Sequence, residues 1–129
     1  MDLPSDYDRI GGEPALRAVV HTFVDRLFGD FIVGFLFEGR DRARIRLHEF
    51  ELASRHLGGP HRYEGRPIGA LHRPLRINRG QFRRRLGLLR TVLRECSVPE
   101  EVIERWVEHD RRLEAVITDG TDCLPDPTA

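Results

Sequence analysis

The sequence predicts an all-α chain of roughly five helices, and three observations carry that prediction. Apolar residues recur at spacings of three and four along several stretches. The strongest breakers, Gly11-Gly12 and Gly58-Gly59-Pro60, fall between those stretches and not inside them. Only one short segment, Phe31 to Phe37, could be read as a strand, and with no second strand to pair with it the helical-turn reading is the better one.

The elements follow in order. Residues 1–6 form a lead-in, with the polar character of the N-terminus continuing to Asp8, and Ile10-Gly11-Gly12 is a break. Glu13-Pro14 opens a helix to Phe28, since proline fits a first turn. Leu16, Val19, Val20, Phe23 and Leu27 share one of its faces, and Gly29-Asp30 ends it. Arg40 to Leu57 is the next helix, closed by Gly58-Gly59-Pro60. Ile45, Glu49, Leu52 and His56 lie on one stripe of it, with Leu47 and His48 on the flanks. An acid in that stripe means either that the face is rotated towards solvent or that Glu49 has a buried partner such as an arginine.

After a polar loop over His61–Pro67, Asn78 or Arg79 opens a helix to Cys96 with Phe82, Leu86, Leu89 and Leu93 inward. Ser97-Val98-Pro99-Glu100 reads as a capped start of the last helix, with Val102, Ile103, Trp106, Leu113 and Ile117 inward as far as Ile117. Residues 118–129 carry two prolines and no periodicity, which predicts a frayed tail. The folded unit is thus 7–117.

Composition bounds the function. At 129 residues the chain supports one core and not two. With 21 basic residues, all arginine, against 21 acidic ones, no net field draws it to nucleic acid or to an anionic membrane. Cys96 and Cys123 form no CxxC, and no secretory signal or membrane-length apolar run is read, so a cytoplasmic, reducing location is expected.

The segment Gly65 to Phe82 sets one histidine, His72, among Ile68, Leu71, Leu75 and Ile77. Such an imidazole is either a core histidine satisfied by a carbonyl or a ligand to a metal or haem iron. His48 stands 24 residues upstream on the preceding helix. The two could face each other across a flat cofactor, with the apolar faces of Phe23, Phe37, Ile45, Leu52, Ile68, Leu71, Ile77, Phe82 and Leu89 lining one cavity. Plain core packing is the other reading of those apolar residues.

An ordered set of short motifs spans most of the chain: Tyr7-Asp8-Arg9-Ile10-Gly11-Gly12, Phe23, Phe37, Leu57-Gly58-Gly59-Pro60, Tyr63-x-Gly65, Leu71-His72, Phe82 and Val98-Pro99-Glu100. This set resembles the truncated haemoglobins, and the first group of them most closely. The resemblance implies a shortened globin fold, two helices over two around a haem b (iron protoporphyrin IX). It implies that His72 is the proximal ligand of iron and that Phe37 packs flat on the porphyrin. The activities it implies are binding of O2, NO and CO and nitric oxide dioxygenation, the latter needing a reductase partner. A monomer or weak dimer is expected.

The distal side departs from that family pattern. Val24 stands where the family usually has a hydrogen-bonding tyrosine, and Glu49 where glutamine is common. Arg85 occupies a position that is usually apolar and faces the haem. A Glu49–Arg85 pair inside the pocket would cancel two misplaced charges; the alternative is that both reach solvent past the haem edge. His48 matches the place where some cyanobacterial and algal members carry a histidine that ligates iron. Six-coordinate iron held by His48 and His72 is therefore one expectation, and a His48 turned to solvent or a haem propionate the other. Val24 disfavours long-lived oxygen storage, so redox or nitrogen-oxide chemistry is the main expectation and an open five-coordinate oxygen binder its alternative.

Two further classes fit the residues less well. Eight arginines between Arg73 and Arg94 could make a nucleic-acid face, but aromatic interleaving is sparse and the overall charge is balanced. A zinc-bound regulatory domain lacks ligands, with only His48, His72 and scattered carboxylates to offer. His21, His56, His61 and His109 read as surface groups.

Overall fold

Each of three helices begins where a side chain accepts the N–H groups that no preceding turn can pair. Ser5 Oγ takes the Asp8 N–H at 3.1 Å and starts α1 (Asp6–Ile10). Asp41 Oδ1 takes the Arg44 N–H at 3.2 Å and starts α3 (Arg42–Leu57). Asn78 takes the Gln81 N–H at 2.8 Å, while the Gln81 side chain accepts the Asn78 N–H at 3.0 Å, a reciprocal box that starts α4 (Arg79–Glu95). Asn78→Ala removes one acceptor of that box and is expected to cost about 1 kcal/mol, measured by urea denaturation. The computed structural model describes residues 3–65, 67–68, 72 and 75–118.

The remaining elements are α2 (Gly12–Phe28), a 3₁₀ turn (Gly34–Phe37), α5 (Glu100–Arg111) and α6 (Glu114–Ile117). No described residue lies in a strand, so the all-α expectation holds, and Phe31 to Phe37 is turn and 3₁₀ helix. Gly11 joins α1 to α2 at φ 113°, a conformation that glycine reaches without a Cβ clash. One core cluster joins Leu16, Val20, Phe23, Val24 and Leu27 of α2 to Leu89, Val92 and Leu93 of α4 and to Val102, Ile103 and Trp106 of α5. Helix α3 lies across α2, and its core-facing residues are Phe50, Ala53, Ser54 and Leu57.

Three sequence expectations need correction. The N-terminal lead-in already contains helix, because α1 begins at Asp6 and Arg105 of α5 grips the Asp6 carboxylate through two 2.8 Å hydrogen bonds. Ser97 does not cap the last helix. It closes α4 in the left-handed conformation (φ 59°), with its own N–H on the Arg94 carbonyl and the Val98 N–H on the Leu93 carbonyl, both at 3.0 Å. That is a Schellman end, and α5 starts afterwards with Pro99 at its N-cap. The last helix also stops at Arg111. A tightened Leu113 N–H to Asp110 carbonyl bond at 3.0 Å turns the chain before α6.

Gly58 ends α3 at φ 89°, and the next loop folds back on the helix. The fully buried Ser54 hydroxyl meets His61 Nδ1 at 2.9 Å and accepts its backbone N–H at 3.3 Å. His61 is therefore a half-buried pin for this loop and not a surface group. Asp30 does the same work at the other end of α2. Its carboxylate accepts the Ile32 and Val33 N–H groups at 3.1 Å and the Arg84 guanidinium at 2.6 Å, which turns the chain into the Phe37 segment and ties it to α4.

Candidate functional site

The two sides of α3 divide the labour. One side packs in the core; the other carries Glu49, Leu52 and His56 into a cleft. Opposite stand Ile68 and His72, with Arg85 of α4, Trp106, His109 and Asp110 of α5, and Leu113 and Ile117 at the chain's return. The cleft holds about 440 Å³ of empty space, its solvent-open mouth included.

His72 and Ile68 are helical and one turn apart, so the ring reaches back to the Ile68 carbonyl, with Nδ1 at 2.8 Å. Desolvation lowers the imidazole below its ordinary range and outweighs the upward push of the Ile68 carbonyl and of Glu49. The ring is thus neutral near pH 7. Among the described residues nothing hydrogen-bonds its Nε2.

The centre of the cleft is charged. Arg85 is held between two carboxylates, with Nη1 donating to Asp110 Oδ2 at 2.7 Å and Nη2 to Glu49 Oε1 and Oε2 at 3.2 and 3.3 Å. Its guanidinium carbon also stands 5.0 Å from the centre of the Phe23 ring. Burial alone would lower the Arg85 pKa, yet Glu49 and Asp110 raise it instead. Burial would raise the Asp110 carboxyl, but the Arg85 charge and the hydrogen bonds of His109 and Arg85 draw it down to about 2. Glu49 therefore has the buried arginine partner that its place on the stripe allowed.

Several residues expected at the site sit elsewhere. Val24, Phe82 and Leu89 are core residues, none more than 1% exposed, while Phe23, 3% exposed, is a core residue whose ring meets the Arg85 guanidinium of the cleft. Phe37 is half-buried against Phe28, ring centres 5.0 Å apart, and Ile45 packs at the core margin. Ile77 is half-buried outside the cleft lining, and Leu71 lies outside the described residues. His48 does not line the cleft; its ring meets Tyr63 edge to face at 5.6 Å.

Two histidines read as surface groups belong here instead. His56 and His109 stack at 3.9 Å and 16°, with Trp106 edge-on to His56 at 5.5 Å. Asp110 was missed altogether. Its one signal in the sequence is an acid continuing the inward stripe Ile103, Trp106, Val107, three and four residues at a time.

A helical sandwich around a cleft with an inward histidine fits a globin of the two-over-two type. Comparison with known proteins makes the assignment specific. A family model of bacterial-like globins matches residues 5–119. The group 1 truncated haemoglobin GlbN of Mycolicibacterium paratuberculosis is 35% identical over 99 residues, 77% of this chain and 73% of that protein. The ferric truncated haemoglobin of Tetrahymena pyriformis superposes with a TM-score of 0.83 at 23% identity, covering 89% of this chain and 98% of that one. The haemoglobin of Chloroflexus aurantiacus gives 0.79 at 26%, covering 91% and 99%.

The chain belongs to the bacterial-like globins and, among them, to the group 1 truncated haemoglobins. It is accordingly a haem-binding globin. The residues present fit that group, since a neutral, half-buried imidazole with one nitrogen fixed and the other unbonded is the donor that haem iron takes. Among the described residues no helix is long and apolar enough to cross a membrane.

Proposed function

We propose that this globin binds small diatomic ligands at a haem b whose iron is held by His72, and that it acts in redox chemistry on nitric oxide and other nitrogen oxides. The observation that carries the reading is the His72 ring: Nδ1 is fixed on the Ile68 carbonyl at 2.8 Å and Nε2 is unbonded among the described residues. Bound haem supplies an iron centre that takes a small ligand and changes oxidation state. The carbonyl fixes the tautomer and the plane of the imidazole, as the outer partners of metal-bound histidines do.

The polar side of the cleft supports reactive chemistry over storage. Val24 is fully buried and has no donor, so Arg85 is the cationic hydrogen-bond donor lining the cleft. Its Nη groups are taken by Glu49 and Asp110, and the surplus carboxylate charge beside it disfavours a ligand that gains negative character, which argues against long-lived oxygen storage. A reductase would return the iron to the ferrous state after each turnover.

His48 is proposed as an internal sixth ligand that an external one must displace. Its nitrogens carry no hydrogen bond among the described residues, which leaves them available. The edge-to-face contact with Tyr63 favours the second reading, an open five-coordinate iron, in which His48 stays on the tyrosine.

Absorption spectra of the haem-loaded chain test both. Low-spin bands in the ferric and dithionite-reduced states, lost in His48→Ala, are expected for the internal ligand. A reduced five-coordinate spectrum removes His48 from the iron. His72→Gly is expected to lose the haem or its proximal bond and to regain it with added imidazole; unchanged spectra in that variant would overturn the His72 assignment.

A further inference from the structure

The ion-pair cluster in the cleft carries two carboxylates, Glu49 and Asp110, against one guanidinium, Arg85. One negative charge is left over in a place where Asp110 is 6% exposed. Beside that charge two imidazoles are stacked face to face, His56 from α3 and His109 from α5. Among the described residues His56 has no hydrogen-bond partner, although it is half-buried on the cleft wall. His109 Nδ1 lies 3.0 Å from Asp110 Oδ1, and Asp110 Oδ2 is fixed by Arg85. Excess negative charge, an unpaired imidazole and an oriented carboxylate share one need, a cation.

We propose that His56, His109 and Asp110 form a second metal site, apart from His72, that takes a divalent zinc ion. One donor atom from each residue lies within 4.8 Å of the others. Tetrahedral zinc at ~2.0–2.1 Å from each donor sets them ~3.3 Å apart. The two stacked rings must therefore splay until their in-plane lone pairs meet at one point while the donors close by ~1.5 Å. Two imidazoles with one carboxylate and no thiolate suit zinc, and the fourth position opens to the cleft. Asp110 is placed as a ligating carboxylate should be, with Oδ1 turned to His109 and Oδ2 held by the Arg85 guanidinium. Burial first, and then the neighbouring His109, lower the His56 pKa to about 4, which keeps that ring in its metal-binding form at neutral pH. Zinc would also neutralise the surplus charge. The three residues come from two helices that the fold alone brings together, which is why no ligand spacing marks them in the sequence.

The inference does not rest on haem binding, because the zinc and iron X-ray absorption edges are read separately. The haem-loaded full chain is stripped with chelator, dialysed against Zn2+ and examined by metal analysis and zinc-edge spectroscopy. One zinc per chain with two imidazole nitrogens and a carboxylate oxygen is expected. His56→Gln and His109→Gln are each expected to weaken retention by more than the ~10–100-fold that losing a supporting hydrogen bond costs. His21→Gln, at an exposed histidine, is expected to leave retention unchanged. No zinc retained by the parent chain overturns the proposal, and so does equal retention by the His56→Gln/His109→Gln double variant. The spectrum of the parent names its ligands even if a variant fails to fold, and a ligand set without two imidazoles is equally fatal.

Discussion

Arg85→Leu is expected to destabilise the protein by ~3 kcal/mol at pH 7, measured by urea denaturation. Removing one member of a buried ionic cluster leaves the others charged and unpaired, and ~3–5 kcal/mol is the usual scale of that loss. The lower end applies because Arg85 keeps 20% of its side-chain surface exposed and Glu49 26%. The sign of the pH dependence is a second check. In the parent the Asp110 carboxyl is drawn down to about 2, so its contribution is present above the ordinary carboxylate pKa and is lost as pH falls towards 2. Without Arg85 the two carboxylates face each other, and protonation relieves them. The deficit of the variant is therefore expected to shrink between pH 7 and pH 4.5. A deficit that stays constant or grows on acidification would mean that Arg85 acts by packing alone. Glu49→Gln added to Arg85→Leu is expected to restore part of the loss, because it removes one of the orphaned charges.

Acid is expected to loosen the cleft before the ordinary carboxylate range is reached. Desolvation, then the facing His109 and Arg85, lower the His56 pKa from 6.5 to about 4, against the opposing pull of Asp110 and Asp6. A histidine lowered by folding contributes stability that is present above 6.5 and is lost as pH falls from 6.5 towards 4, where the unfolded chain binds the proton first. The shift corresponds to up to ~3 kcal/mol, at ~1.4 kcal/mol per pH unit. Urea midpoints of chelator-treated protein at pH 7.5, 6 and 4.5 should fall steadily across that window. His56→Phe keeps a flat ring beside His109 and Trp106 and should flatten the slope. Equal slopes in parent and variant would show that His56 is not the group being titrated.

Much of the fold was legible because it is written in local terms. The faces of α2 and α4 appear in the sequence as repeats of three and four, and Leu16, Phe23, Phe82 and Leu93 are buried where that repeat puts them. The start of α4 was legible at Asn78, whose side chain acts within one turn of its own position. Ser97 shows the limit of such reading. A small polar residue between two helices suits the end of the first or the start of the second, and the left-handed turn that decides it depends on Val98 being drawn into the core. The acid at Glu49 announced a buried partner or a rotated face without deciding between them, and the Arg85 contact decides it.

His72 stood out in the sequence because its neighbours are apolar. His56, although on the stripe of Ile45 and Leu52, and His109 read as surface groups because neither has a partner histidine at a ligand spacing in the chain. The sequence by itself determined an all-α chain, the inward faces of its long helices, the isolated His72 and, through an ordered set of motifs, the truncated-globin family. Only the tertiary structure decided what shares the cleft: Arg85 between Glu49 and Asp110, His56 stacked on His109, and His48 on Tyr63 outside the lining. The reason is physical. Helical periodicity is set by neighbours within a turn, whereas the pairing of charges and rings from different helices is fixed by how those helices pack, which no single stretch of chain encodes.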